Sequence, residues 1–306
     1  QLQALEWIEH NPPSRVLGLA LPLSWAAPQL TEEEPLLSND SLMQWLANPQ
    51  AEWLRQLGLY TSERIDAVED LEALKLDGLQ QYTLLDQHLE ENLLSGDSPD
   101  WCWSLMGQGV LPAAAGADLA ADKLRRRLEG LQQRLQELGE PHRKGSVLFA
   151  GDVHVVVEPG AFRPRALMRC WLEHLLLSAQ GEPFGGSAVI TRAERGEAAE
   201  IQLRWSPLDT QHADAELAGL QRLAQSGLKH CWPVPPQSGW ALMVKEQRKP
   251  GSGVEAFRSC WQLEREKPAQ RLCFGAEAEA EVLLEADGFA EACEALYRPM
   301  LTSRLS

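Results

Sequence analysis

A chain of 306 residues has room for one large domain or two modest ones, and its 44% hydrophobic and 24% charged content is that of a folded water-soluble protein rather than a disordered one. With 28 Lys and Arg against 44 Asp and Glu, the formal net charge is −16, so the whole surface repels phosphate and any contact with DNA must be local or shared with a basic partner. No apolar run approaches the roughly 18 residues of a membrane span, and no signal-peptide pattern opens the chain.

Six scattered cysteines contain no C-x-x-C pair, which argues against a zinc knuckle and against an extracellular disulfide framework. A reducing cytoplasm is the expected home. The first residue is Gln1 rather than Met, which points to a piece cut from a longer polypeptide. Eleven tryptophans against three tyrosines is an unusual ratio. Most of them should fill the core, with a minority available for docking.

Residues 1–38 read as a lead-in segment, in which the apolar run Val16 to Leu23 is interrupted by Pro22 and so is no central strand. The remainder, 39–306, reads as one domain, mainly helical over 39–144 and mixed α/β over 145–306. Asn39-Asp40-Ser41 offers a helix N-cap, followed by Leu42, Trp45 and Leu46 on one face. Pro49 ends that helix and starts another with Trp53, Leu54 and Leu57 as its apolar stripe. An acidic loop over 63–72 precedes a helix from Leu76 to Leu94, and a further helix is expected over Trp101 to Met106. After a Gly/Pro/Ala loop over 107–116, a long helix covers Leu119 to Leu138, with Arg125-Arg126-Arg127 expected on its solvated face.

At Gly145 the pattern turns to strand: Ser146 to Ala150, then Gly151-Asp152-Val153-His154-Val155-Val156-Val157-Glu158. The run from Leu167 to Leu177 is an amphipathic helix. Strands follow at Ser187 to Thr191 and Ala199 to Trp205, joined as a hairpin. Helices are then expected over Pro207 to Ser226, Trp240 to Lys245, Val254 to Leu263 and Phe289 to Leu301, with a Pro-rich loop at Pro233, Pro235 and Pro236. The fold class is α/β or α+β, a small mixed sheet flanked by many helices.

Several chemistries are missing their motifs. There is no G-x-x-x-x-G-K-[ST] phosphate loop and no G-x-S-x-G nucleophile elbow, and Gly251-Ser252-Gly253 follows Lys249-Pro250 without a preceding strand. His174, flanked by apolar residues, reads as a satisfied, partly buried histidine rather than a ligand. Asp152, His154 and Glu158 fall at alternate positions of one strand and so could share a face, which keeps open a divergent metal-dependent nuclease built on those three. Arg163, Arg165 and Arg169 cluster before the amphipathic helix, placed either to grip phosphates or to pair with carboxylates of another subunit.

An ordered series of segments resembles a known family. Pro49 with Trp53 and Leu54, Leu76-Asp77-Gly78-Leu79-Gln80-Gln81-Tyr82, Gly109-Val110-Leu111-Pro112-Ala113-Ala114-Ala115-Gly116, Trp171-Leu172-Glu173-His174-Leu175 and Pro233-Val234-Pro235-Pro236-Gln237-Ser238-Gly239-Trp240 are similar to the C-terminal region of RecC, the gamma subunit of bacterial exodeoxyribonuclease V. The resemblance runs from about residue 30 onward. It implies a PD-(D/E)XK (restriction-endonuclease-like) fold that is catalytically degenerate. It also implies work in subunit assembly and DNA-end processing for double-strand break repair by recombination, with no cofactor. The implied partners are a RecB-type helicase–nuclease subunit, a RecD-type second helicase and double-stranded DNA ends; no membrane is involved. Active relatives begin with G-x-x-x-H, where this chain has Gly78 and Tyr82, and continue with G-x-x-D, where it has Gly151 and His154. They then need an acidic residue and a lysine on the next strand, for which the corresponding stretch is Ala161-Phe162-Arg163-Pro164-Arg165. Tyr82 and His154 are thus degenerate nuclease positions, and the metal site they would complete lacks its oxygen ligands.

Overall fold

The computed structural model describes residues 35–61, 76, 80–86, 89, 105–107, 111, 115–193, 196 and 198–305. In chain order its elements are α1 (Asn39–Ala47), α2 (Pro49–Gln56), α3 (Ala115–Leu138), β1 (Pro141–Lys144), β2 (Val147–Ala150), β3 (Val153–Ala161) and α4 (Pro164–Gln180). They continue as β4 (Ser187–Arg192), β5 (Ala199–Trp205), α5 (Thr210–Lys229), α6 (Pro236–Arg248), α7 (Gly253–Glu264), α8 (Pro268–Phe274), α9 (Ala280–Leu284) and α10 (Phe289–Thr302). Two compact units share them: one takes Gln1–Arg64 with Thr210–Ser303, the other Ile65–Asp209 with Arg304–Ser306. The expected segments at Val16 to Leu23 and 63–72 lie outside the described residues, as do most of 87–104. Residues 80–86 and 105–107 are helical.

The second unit holds a five-stranded sheet in the order β1-β2-β3-β4-β5. Every neighbouring pair is antiparallel except β3 and β4, which run parallel. The cause is the connection. Gly145, at φ 65°, and Gly151, at φ 59°, sit in tight turns joining β1 to β2 and β2 to β3. β3 and β4 are instead linked through α4, and a crossover of that length is what parallel pairing requires. Both faces of the sheet are covered. On one, Leu124, Leu128, Leu131 and Leu135 of α3 pack on Val153, Val155, Ala188, Ile190 and Ala199. On the other, α4 covers the alternate residues. Double coverage explains why Val153 to Val157 reads as a nearly continuous apolar run with a single polar interruption at His154.

β1 is not expected from the sequence. Its residues Pro141-His142-Arg143-Lys144 carry no apolar pattern, and it exists as an edge strand through main-chain pairing with β2. The helix expected from Leu119 begins at Ala115, and its arginines divide. Arg125 is exposed and pairs with Asp122 at 2.8 Å, whereas Arg127 is buried and donates to Gln81 Oε1 at 3.3 Å. The solvated-face expectation therefore fails for Arg127, because the helix also packs on the 80–86 segment.

Every regular element among the described residues of the first unit is a helix. Ser38, rather than the expected 39–41 triplet, caps α1, its Oγ accepting from Ser41 N at 3.1 Å. Leu42, Trp45 and Leu46 are buried, as are Trp53 and Leu54 of α2, but Leu57 is 52% exposed beyond the end of that helix. Gln50 of α2 is a buried tie: its Nε2 donates to the carbonyls of Trp232 at 2.9 Å and Val234 at 3.0 Å, and its Oε1 accepts from Gln270. Glu264, also buried, accepts from Gln237 N, Ser238 N and Ser238 Oγ, the last two at 2.7 Å. A carboxylate there satisfies the orphan donors of the α6 N-terminus and the positive end of its dipole.

Candidate functional site

One row of residues crosses all five strands on the face covered by α4. The register pairs His142 with Phe149, Phe149 with His154, His154 with Ser187, and Ser187 with Trp205. His142 stacks on Phe149 at 5.7 Å, and Phe149 meets His154 edge-on at 6.0 Å. From above, α4 lowers Trp171, Glu173 and His174 onto this row. Trp171 stacks on His174 at 5.4 Å and lies 5.4 Å from Trp205. At its outer end the row reaches a cavity of about 200 Å³ lined by His142, Phe149, Asp152 and Phe184, with the Lys144–Glu182 ion pair beside it.

The polar groups in the row form a chain of hydrogen bonds. Arg169 Nε donates to Glu173 Oε1 at 3.0 Å, and Glu173 Oε2 lies 2.8 Å from His154 Nε2. His154 Nδ1 and His174 Nδ1 each lie 2.9 Å from Ser187 Oγ. Burial pushes the Glu173 carboxyl up, but the hydrogen bond from His154 and the adjacent Arg169 outweigh it and hold it below the usual carboxylate range. An ionised Glu173 only accepts, so the proton on that side belongs to His154 Nε2. Ser187 Oγ thus bridges the Nδ1 atoms of the two histidines. Burial, then the nearby His154, pushes His174 down to about 4, so it is neutral at physiological pH. Its Nε2 is buried without a hydrogen-bond partner among the described residues.

A serine, a histidine and a carboxylate in hydrogen-bonded sequence invite comparison with a nucleophilic triad. Burial decides against it. Ser187, His154 and His174 are each 0% exposed, so no acyl or phosphoryl group can approach the hydroxyl. The chain of bonds clamps α4 onto β3 and β4.

A second cluster sits at the far end of β3. Glu158, 7% exposed, lies beside Gly160, where an added Cβ would meet Glu158 Oε1 and the Tyr82 ring, both at 3.3 Å. Arg163, the residue preceding α4, places its guanidinium 4.5 Å above the Tyr82 ring. Burial raises the Glu158 carboxyl above its ordinary range against the opposing pull of Arg163. Burial also raises Tyr82, helped by the charges of Glu158 and Asp86.

The residues singled out from the sequence are thereby divided between two places. Tyr82, Glu158, Arg163 and Arg165 lie together, while His154 lies with Ser187, Glu173 and His174, and Arg169 joins that second group through Glu173. Asp152 joins neither set of hydrogen bonds: it occupies the exposed turn before β3, its carbonyl accepting from Gly185 N at 2.7 Å, and it lines the cavity at the outer end of the row. His154 and Glu158 do share a face, but four residues of strand separate them by about 13 Å, far beyond a common coordination sphere. No group of three or more His, Cys, Asp or Glu side chains suited to a metal occurs among the described residues. The stretch 161–165, expected on the next strand, is instead the end of β3 and the first turn of α4. The next strand is β4, and it arrives only after the helix. His174 is fully rather than partly buried, and only one of its nitrogens is satisfied. Nothing in the sequence singles out Ser187, because its role depends on the parallel register, for which no local pattern codes.

No helix among the described residues is long and apolar enough to cross a membrane. The chain matches none of the curated proteins with which it was compared. It does match a family described as the RecC C-terminal domain, over residues 34–247. That span takes in both the row beneath α4 and the Tyr82–Glu158–Arg163 cluster, and it covers well over half of the sequence; the chain belongs to the RecC C-terminal domain family.

Proposed function

We propose that this chain is a non-catalytic C-terminal module of a RecC-type subunit, acting within a RecBCD-type helicase–nuclease in DNA-end processing for recombinational repair. The family match over residues 34–247 carries the reading. On it, the partners are a RecB-type and a RecD-type subunit and the double-stranded DNA end that they process. The geometry supports a structural use of the old nuclease corner. His154, at the position where active relatives have their Asp, has both ring nitrogens committed to Glu173 and Ser187 and is fully buried. A metal ion would have to break that chain and then find oxygen ligands, and Glu158 lies about 13 Å away along the strand.

The DNA-facing candidates are Arg163, Arg165 and Arg169, all exposed at the start of α4. Arg163 is held in place by Tyr82 and Arg169 by Glu173, which fixes their positions while leaving guanidinium donors for a phosphate. In the assembled complex, replacing all three by alanine should weaken DNA-end binding. It should also flatten the salt dependence, the log–log slope falling by about one for each phosphate no longer neutralised. Unchanged affinity and unchanged slope would remove these arginines from any DNA role. The purified chain incubated with labelled DNA and Mg²⁺ or Mn²⁺ should leave it intact. Cleavage abolished by Asp152→Ala would favour the divergent nuclease instead.

A further inference from the structure

We propose that the cavity at the outer end of the sheet, walled by His142, Phe149 and Phe184 and edged by Asp152, receives the guanidinium of an arginine side chain presented by a partner polypeptide. Its lining falls within residues 142–184, all in one compact unit. The aromatic walls are fixed in place. The His142 ring stacks on Phe149 at 5.7 Å with 21° between the planes, and its Nδ1 lies 3.3 Å from Glu140 O. Phe184 lies 5.7 Å from the ring of His174. Phe149 is buried and Phe184 half-buried, whereas His142, Lys144, Asp152 and Glu182 form an exposed rim. A volume of about 200 Å³ is below the roughly 300–1,000 Å³ of sites that enclose a whole small molecule, and it suits a single side chain.

Charge selects the occupant. Lys144 and Glu182 pair with each other at the rim, and the hydrogen bond from Lys144 holds the Glu182 carboxyl below its usual range. Their charges cancel, which leaves Asp152 as the lining charge with no ion pair among the described residues. The backbone sets its place: Gly151, at φ 59°, makes the turn, and Gly185 N donates to Asp152 O at 2.7 Å. Gly185 also leaves room for the carboxylate, since a Cβ there would lie 2.4 Å from Asp152 Oδ1. Surplus negative charge beside π faces attracts a cation and repels a phosphate, in step with the net charge of −16. An apolar occupant would strip water from Asp152 and return no hydrogen bond. Of the two side-chain cations, the guanidinium is planar, stacks on rings and is more weakly hydrated than an ammonium. It can also meet a carboxylate with two parallel N–H donors. The rings suit its face and Asp152 its edge. Any basic polypeptide surface with a protruding arginine qualifies, so the chemistry of the pocket is independent of which subunits assemble with the chain.

The test titrates the full, isotope-labelled chain with N-acetyl-arginine methylamide at low salt and follows the amide resonances of Phe149, Gly151, Asp152 and Phe184. Saturable shifts confined to these residues and their neighbours are expected, with a Kd of about 1–10 mM for an isolated side chain. N-acetyl-lysine methylamide should bind at least about fivefold more weakly. Asp152→Asn should weaken arginine binding about tenfold by removing the charge, and Gly185→Ala by a similar factor of about ten by displacing it. Asp152 lies in an exposed turn, so the melting temperature of Asp152→Asn should stay within about 2 °C of the wild type. Absence of saturable shifts up to about 50 mM ligand, or equal affinity in wild type and Asp152→Asn, would overturn the proposal. So would free arginine binding more than about tenfold tighter than the capped form, which would mark a metabolite site. Shifts of the same residues with thymidine monophosphate but not with the arginine probe would mark a nucleotide site and overturn it as well.

Discussion

Ser187 is the side chain on which the row beneath α4 turns, since one hydroxyl serves two buried histidines. Ser187→Ala leaves both Nδ1 atoms without that partner in a dry interior, and it should cost about 2–3 kcal/mol in urea unfolding. Destabilisation below about 0.5 kcal/mol would show that the histidines find other partners. Acid should act on the same row. His174 has its folded pKa depressed to about 4, from an ordinary 6.5, so the unfolded chain binds the proton more readily. The resulting contribution to stability is complete above pH 6.5 and is lost as pH falls towards 4. Glu173, also held low, acts in the same direction below its ordinary range. Melting temperature should therefore fall between pH 6.5 and 4, and His174→Gln should flatten that fall. His174 is legible from the sequence as a buried residue because it sits among leucines. Its serine partner is not, because 13 residues of helix and loop separate the two.

Among the elements, α3 and β3 announce themselves, α3 through leucines at helical spacing and β3 through a valine run. Leu131 of α3 is fully buried against the sheet, and Leu131→Ala should cost about 3 kcal/mol on unfolding, with the spread that depends on cavity collapse. β1 has no such signal: an exposed edge strand needs main-chain pairing alone, so its side chains are free to be polar. α8 and α9 are likewise unpredicted, being too short to show a period. Helix packing in the other unit makes a sharper demand. A Cβ on Gly227 of α5 would lie 2.5 Å from the Trp45 indole of α1. Gly227→Ala, normally favourable inside a helix, should here destabilise by about 1–3 kcal/mol, and a gain in melting temperature would show that Trp45 can move aside.

At the scale of the molecule, each compact unit draws on separated stretches of chain, and a net charge of −16 would leave any contact with DNA to local basic groups. Composition suggests tryptophan as a source of docking patches for partner subunits. In the described residues Trp45, Trp53, Trp171, Trp205, Trp232, Trp240 and Trp261 are all interior. The most exposed large apolar side chains among the described residues are instead Leu36, Tyr60, Leu119 and Leu263. If assembly with RecB-type and RecD-type subunits uses apolar contacts of the described surface, charge substitutions at those four should weaken co-purification of the complex. Interior tryptophan variants should act only through loss of folding, visible as a lower melting temperature of the chain alone.

The sequence by itself determined the fold class, the position of most helices and of β2 to β5, and the absence of an acid–lysine pair at 161–165, because these follow from side-chain periodicity and residue identity. Tertiary structure alone decided that Asp152, His154 and Glu158 part company, that Ser187 joins two histidines, and that Gln50 and Glu264 bind distant backbone. The physical reason is that strand register and helix crossover set which polar groups are buried together. Once buried, each must find a partner, and such partners lie at separations that local patterning does not encode.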